Sequence, residues 1–349
     1  MCLQRMQEIN MDGISIGENK KCFIIFDASA TYSGYEEAIE LVNATADAGA
    51  DAIKFQLILT GDAEKIMGEK EITVEYLKKH ELVFDALKRR ELSLEEWKKL
   101  KSFCDEKNIT MVAIPSFPET VKIIEDLGIQ AIKIAKGNMN NVLFIERISQ
   151  SKKIIFFDAR EEIQHLEIAM KICKNNHNEN IVILHYPSIF PKNVEGAHLN
   201  SINKLKEKFN CPIGFANHTS KTVLDYTSLA LGVKILEKTI TSNYEKEGFG
   251  HSTSLQINEL KPFVENVRHI EYSFGNSDIL NISRVEDTAK RSISALIDIQ
   301  KGKKITAKNI TFRRPGNKGI SAEFGFKVLN KKAKTSIKKD TFLSWDMLE

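Results

Sequence analysis

Short runs rich in Ile, Val and Phe alternate along the chain with longer polar-apolar stretches of helical period, the pattern of a parallel sheet built from βα units. Strands are expected at 22–29 (CFIIFDAS), 51–57 (DAIKFQL), 109–116 (ITMVAIPS), 131–136 (AIKIAK), 153–159 (KIIFFDA), 180–187 (NIVILHYP), 211–218 (CPIGFANH) and 233–240 (VKILEKTI). Amphipathic stretches such as YEEAIELVNATADAGA, SLEEWKKLKSFCDEKN and PETVKIIEDL lie between them. Eight strand and helix units over about 250 residues predict an α/β TIM (β/α)8 barrel, with a doubly wound open sheet as the alternative. Residues 1–21 read as an N-terminal extension, 22–280 as the barrel, 281–288 as a polar linker and 289–349 as a small β-rich domain. The connection Ile58 to Leu92 is too long for an ordinary loop and predicts a lid or hairpin over the barrel mouth.

Composition narrows the classes. The 349 residues are 42% hydrophobic and 28% charged, as in ordinary globular proteins. Lys and Arg number 50 against 47 Asp and Glu, too even a balance for a nucleic-acid partner. No apolar run approaches the roughly 20 residues of a membrane span, and the first residues lack the pattern of a secretory signal, so a cytoplasmic protein is expected. Five scattered cysteines without a CxxC pair indicate neither a disulfide framework nor a zinc site. Dinucleotide, P-loop and nucleophile-elbow motifs are missing.

In a TIM barrel the reacting groups sit at the strands' C-terminal ends. Those ends carry Asp27, Lys54 and Gln56, Ser116, Lys133 and Lys136, Asp158, His185, Asn217 and His218, and Glu237 with Lys238. So many polar groups facing one another predict a ligand pocket, and the lysines favour an anionic small molecule. The alternative for each lysine is an internal ion pair with Asp27, Asp158 or Glu237. His185 and His218 together could hold a metal, or His185 could be a hydrogen-bonded core residue.

The segments DAGADAIKFQ, IPSFPETVKIIEDLGIQAIKIAKG, PIGFANHT and LGVKILEK are similar, in order and spacing, to the sialic acid synthase family, the N-acetylneuraminate, legionaminate and pseudaminate synthases. ITAKNITFRRPGNKGIS and KKAKTSIKKDTFLSWDML resemble the antifreeze-like (SAF) domain that ends those enzymes. The resemblance implies a homodimer with swapped C-terminal domains and condensation of phosphoenolpyruvate with an N-acylated amino sugar to a nonulosonic acid, releasing phosphate. The residues it matches are Lys54, Gln56, Lys133 and Arg314 for substrate binding and His251 for catalysis; Asp27 joins the catalytic candidates, and Lys136 and Ser188 the substrate-binding ones. The resemblance also implies a divalent metal, Mn or Mg, on His218 and a second histidine.

The chain departs from the family at several of these places. Asp27 replaces a Glu, Thr31 to Gly34 an Asn-His-Asn-Gly, Lys136 and Asn138 a Ser and a Glu, and Phe157 a phosphate-binding Ser. Pro187 and Phe190 replace a Thr and a Tyr, Ala216 and Asn217 a Ser-Asp, Thr239 the second metal histidine, and Gly250 the acid before His251. Each lost oriented donor typically costs about 10² to 10³ in rate. Two readings follow: a divergent synthase with altered contacts, or a catalytically impaired homologue that binds a sugar acid or pairs with a true synthase. A lysine Schiff-base lyase using Lys133 or Lys136 is a third.

Overall fold

The computed structural model describes residues 7–76, 79–159, 163–187, 194–275 and 288–349, with backbone alone at 74–76, 79–80 and 195. The chain divides into two compact units, Met1–Gly275 and Asn276–Glu349. Among the described residues no helix is long and apolar enough to cross a membrane.

The first unit opens with a hairpin, β1 (Ile9–Met11) and β2 (Ile14–Ile16). Its turn residues, Asp12 and Gly13, both have positive φ (49° and 86°), as a two-residue turn matching the strand twist requires. Then come β3 (Phe23–Asp27), β4 (Ala52–Leu57), a second hairpin of β5 (Thr73–Tyr76) and β6 (Lys79–Leu82), and β7 (Thr110–Pro115). β8 (Ala131–Lys133), β9 (Ile154–Ala159), β10 (Ile181–His185), β11 (Ile213–Asn217) and β12 (Ile235–Thr241) follow, and β13 (Leu255–Gln256) pairs with the end of β12. Eight of these strands pair in parallel in the order β3-β4-β7-β8-β9-β10-β11-β12, and β12 pairs back onto β3 to close the barrel. All eight expected strands are present. The expected extension at residues 1–21 is in part the β1–β2 hairpin.

Among the described residues, eight helices follow the eight strands. They are α1 (Gly34–Ala48), then, after the short α2 (Asp62–Ile66) and α3 (Val83–Lys88) of the β4–β7 insertion, α4 (Leu94–Glu106), α5 (Pro118–Asp126), α6 (Val142–Gln150), α7 (Ile163–Asn175), α8 (Ser201–Lys208), α9 (Val223–Ala230) and α10 (Ile257–Ser273). α4 begins with a reciprocal cap, the Ser93 side chain accepting from the Glu96 N–H and Glu96 accepting from the Ser93 N–H. In α10, Arg268 donates to the Cys22 carbonyl (2.7 Å) and pairs with Asp51 (3.3 Å), tying the last helix to the first strands.

Strand side chains alternate between two cores. Ile24, Phe26, Ile53, Phe55, Ile155 and Phe157 pack against the helices. Phe23, Ile25, Ala52, Val112, Phe156 and Ile235 fill the lumen, where Ile9, Met11 and Ile16 of the hairpin join them and stop its lower end. Gly214 belongs to this layer: a Cβ there would lie 2.5 Å from Leu184 Cδ2 and 2.7 Å from the Ile235 carbonyl oxygen. With its floor filled by hydrocarbon, the barrel offers one open end for chemistry.

The second unit is built on antiparallel β14 (Ser292–Ala295) and β15 (Ile310–Arg313), with isolated bridges such as Ile299–Ile337 and Ala333–Leu348, around a core that includes Ile293, Ile305, Ile320 and Leu343.

Candidate active site

The alternation that puts Phe23, Ile25 and Ile235 in the lumen puts Asp27 and Glu237 there too, one step nearer the open end, with Lys54, Lys133 and Asp158 around them. Glu237 is the hub. Its Oε1 accepts from Lys133 Nζ (2.7 Å) and forms an ion pair with Lys54 Nζ (2.6 Å). Lys54 also lies 3.1 Å from Asp27 Oδ2, and Lys133 lies 2.9 Å from Asp158 Oδ1, oriented as an ion pair rather than a directed hydrogen bond. All five side chains are buried. Burial alone would raise the Glu237 carboxyl, but the Lys133 and Lys54 ammoniums outweigh it and hold the group well below the usual carboxylate range. Burial likewise opposes charge on Lys133, and Asp158 and Glu237 overcome it, raising its pKa above the ordinary lysine value. Three carboxylates around two ammoniums leave the cluster one negative charge in excess.

His218 stands above the cluster. Its Nε2 is 3.4 Å from Asp27 Oδ2 and 3.5 Å from Glu237 Oε1, and its Nδ1 is 2.7 Å from the Tyr186 hydroxyl. One donor atom each from Asp27, His218 and Glu237 falls within 4.8 Å of the others. Two carboxylate oxygens and an imidazole suit a divalent cation such as Mn or Mg, and the excess negative charge agrees. The tautomer that donates Nδ1–H to the Tyr186 oxygen turns the Nε2 lone pair toward the carboxylates, which is the ligating form. Two buried oxygens at this place, Glu237 Oε2 and Thr239 Oγ1, have no hydrogen-bond partner among the described residues. The residues present therefore fit a metal, with Glu237 supplying a ligand that the resemblance did not, and Thr239 lining the pocket where a second histidine was expected.

Above the cluster is a cavity of about 460 Å³. Lys136, at the start of a short 3-10 turn (Lys136–Asn138), lines it and has no ion-pair partner among the described residues. Gln56 and Arg90 form another wall, Arg90 donating from Nη1 to the Gln56 side-chain oxygen at 3.1 Å. The β4–β7 insertion forms the expected hairpin. Its Glu81 pairs with Arg89 (3.1 Å) and accepts from the Phe249 N–H (2.5 Å), joining the insertion to the loop after β12. His251 lies beside the cavity, its Nδ1 2.8 Å from Thr241 Oγ1. Burial, with help from Arg89, lowers its pKa to about 4.

Other strand-end residues face the helices. His185 stacks on Phe215 (centroids 5.9 Å) and its Nε2 meets the Ala197 carbonyl at 2.7 Å, so it does not join His218. Lys238 and Asn217 both bind Asp225 of α9, at 2.9 and 2.7 Å, between barrel and helix layer. Phe157 also packs outward. Ser116 donates to the Leu57 carbonyl at 3.5 Å. Arg314 lies in the second unit, exposed, before a cis Pro315. Ser188 and Phe190 lie outside the described residues. Tyr186, Arg90 and Glu81 are among the pocket residues that escaped the sequence reading. Tyr186 continues the lumen alternation of Val182 and Leu184 and was legible that way. Arg90 and Glu81 sit in charged stretches that look like solvent-facing surface.

An eight-stranded α/β barrel with buried lysines, carboxylates and a histidine at its open end defines an enzyme-like scaffold for small anions. The profile of the NeuB family matches residues 41–278 and that of the SAF domain residues 290–349, and the chain belongs to the NeuB family. It is 30% identical to an uncharacterised protein of Methanocaldococcus jannaschii over 348 residues, 98% of this chain and 99% of the other. It is 29% identical to the N,N'-diacetyllegionaminic acid synthase of Campylobacter jejuni, over 93% of this chain and 99% of that one. Among solved structures, the N-acetylneuraminic acid synthetase of Leptospira borgpetersenii superposes with a TM-score of 0.70 at 27% identity, covering 78% of this chain and 91% of the other.

Proposed function

We propose that this protein condenses phosphoenolpyruvate with an N-acylated amino sugar to a nonulosonic acid in the cytoplasm. The observation that carries the reading is the pair of buried lysines, Lys54 and Lys133, bridged by Glu237 under an open cavity. Phosphoenolpyruvate brings a carboxylate and a phosphate; a divalent cation on Asp27, His218 and Glu237 would turn the cluster net positive around its two fixed ammoniums, and Lys136 in the wall adds a third. Because its carboxylate neighbours keep Lys133 protonated, it serves as a clamp for anions rather than as a nucleophilic amine, which disfavours the Schiff-base alternative.

In the reaction, C3 of phosphoenolpyruvate bonds to the aldehyde carbon of the open-chain sugar, whose oxygen takes a proton. Water adds at C2, and loss of phosphate from C2 leaves the keto acid. Asp27, His218 and Glu237 would hold a divalent cation, which supplies polarisation of the aldehyde oxygen. Asp27 and Asp158 are the carboxylates at the pocket edge able to take the proton from the added water. His251, neutral at pH 7, positions the loop after β12 through Thr241. Arg314 is assigned to the sugar of a partner subunit in a domain-swapped homodimer, and Ser188 to the substrate.

Incubating the protein with phosphoenolpyruvate and a panel of N-acetylated sugars, with and without Mn, tests this by phosphate release and product mass. A sugar-dependent nine-carbon keto acid with one equivalent of phosphate is expected. Folded protein that gives none with any acceptor would shift the assignment to a binding or partner role.

A further inference from the structure

Arg90 is a charge that the cluster chemistry does not use. It is 7% exposed, it lines the cavity, and no described carboxylate lies within ion-pairing distance of it. Its hydrogen bonds go to neutral oxygens: the carbonyls of Ala86 and Ser29 and the side-chain oxygen of Gln56. A buried guanidinium whose direct partners are all neutral dipoles is expensive, since Glu81 and Asp27 offset its lost hydration only from a distance. Burial accordingly lowers its pKa to about 10, leaving it protonated at neutral pH.

Arg90 also fixes its neighbour. A guanidinium can only donate, so Gln56 must present its oxygen to Arg90 and turn its amide nitrogen away. Among the described residues that nitrogen has no hydrogen-bond partner. A cation and an amide donor thus stand side by side in the cavity wall.

We propose that Arg90 and Gln56 form a second anion-binding corner, one that selects an acceptor sugar carrying a negatively charged oxygen group, a phosphate ester or a carboxylate. The proposal rests on the pocket being the sugar site inferred above. With Lys54, Lys133 and Lys136 taken by phosphoenolpyruvate, the remaining cation is left for the acceptor.

Calorimetric titration with N-acetylmannosamine, its 6-phosphate and an N-acetylated hexosaminuronic acid tests this without turnover. At least one acidic sugar is expected to bind about tenfold or more tighter than the neutral one, and which acid does so identifies the group. The preference should shrink to about twofold or less in Arg90→Met. It should also vanish in Gln56→Glu, which keeps an acceptor for Arg90 and so preserves the fold while neutralising the corner. Equal binding of neutral and acidic sugars by the wild type, or a preference that survives both variants, would overturn the proposal. Phosphoenolpyruvate titrated into the wild type separates the two ideas: its binding without acid preference removes only the corner, whereas no binding of phosphoenolpyruvate or any sugar removes the synthase reading as well.

Discussion

Glu237 has no exposed surface and holds two ammonium groups on a single oxygen, so its charge matters more than its volume. Glu237→Gln keeps the shape but takes the shared carboxylate from both lysines, leaving Lys54 to Asp27 and Lys133 to Asp158. A loss of about 1–3 kcal/mol is expected by chemical denaturation. His251 gives the opposite kind of signature. Its folded pKa of about 4 lies below the free value of 6.5, so between these values the unfolded chain binds the extra proton. Stability should therefore fall as pH drops from 6.5 toward 4, by at most about 1.4 kcal/mol per pH unit from this residue, and level off below. Comparing melting curves of the wild type and His251→Gln across that range isolates the contribution. At this scale the sequence was only partly legible. Asp27, Lys54, Lys133 and His218 were correctly taken as converging, but strand-end position alone does not tell lumen from helix side, and Lys238, Asn217 and His185 face outward. Arg90 was invisible because nothing local marks a charged residue for burial.

At the scale of elements, all eight barrel strands could be read because buried parallel strands are nearly continuous runs of Ile, Val and Phe bounded by polar stretches. The β1–β2 hairpin was overlooked, although Asp12-Gly13 between apolar residues is a strong turn signal, because three-residue strands leave little periodicity. Its three buried side chains close the lumen floor, and Met11→Ala should cost about 2–5 kcal/mol in urea unfolding. Gly214 is the opposite test. Its Cβ would collide with the Ile235 backbone, which cannot swing away as a side chain could, so Gly214→Ala should cost about 1–3 kcal/mol.

For the whole molecule, the proposed exchange of Arg314 between subunits has a mixing test. Lys54→Ala and Arg314→Ala proteins should each be nearly inactive, and co-refolding them should restore up to about a quarter of wild-type turnover, since one site in a mixed dimer would be intact. No recovery from dimers shown to exchange subunits would place Arg314 outside the site. The second unit exposes Phe312, Phe326 and Trp345, with Phe326 93% accessible, an apolar surface that an isolated unit would keep in water.

Because β12 closes the barrel onto β3, the order in which the ribosome delivers the chain acquires weight. Phe23–Asp27 leaves the exit tunnel early and β4 soon follows on one side, yet the partner of its other edge begins only at Ile235, and Arg268, which ties α10 to Cys22, comes later still. At about 5–20 residues per second, the edge of β3 waits for about 10 to 40 seconds. Throughout that interval the nascent polypeptide presents an open, sticky sheet margin and a half-assembled set of buried lysines without Glu237. Cellular chaperones and the pace of translation therefore bear on the yield of this protein.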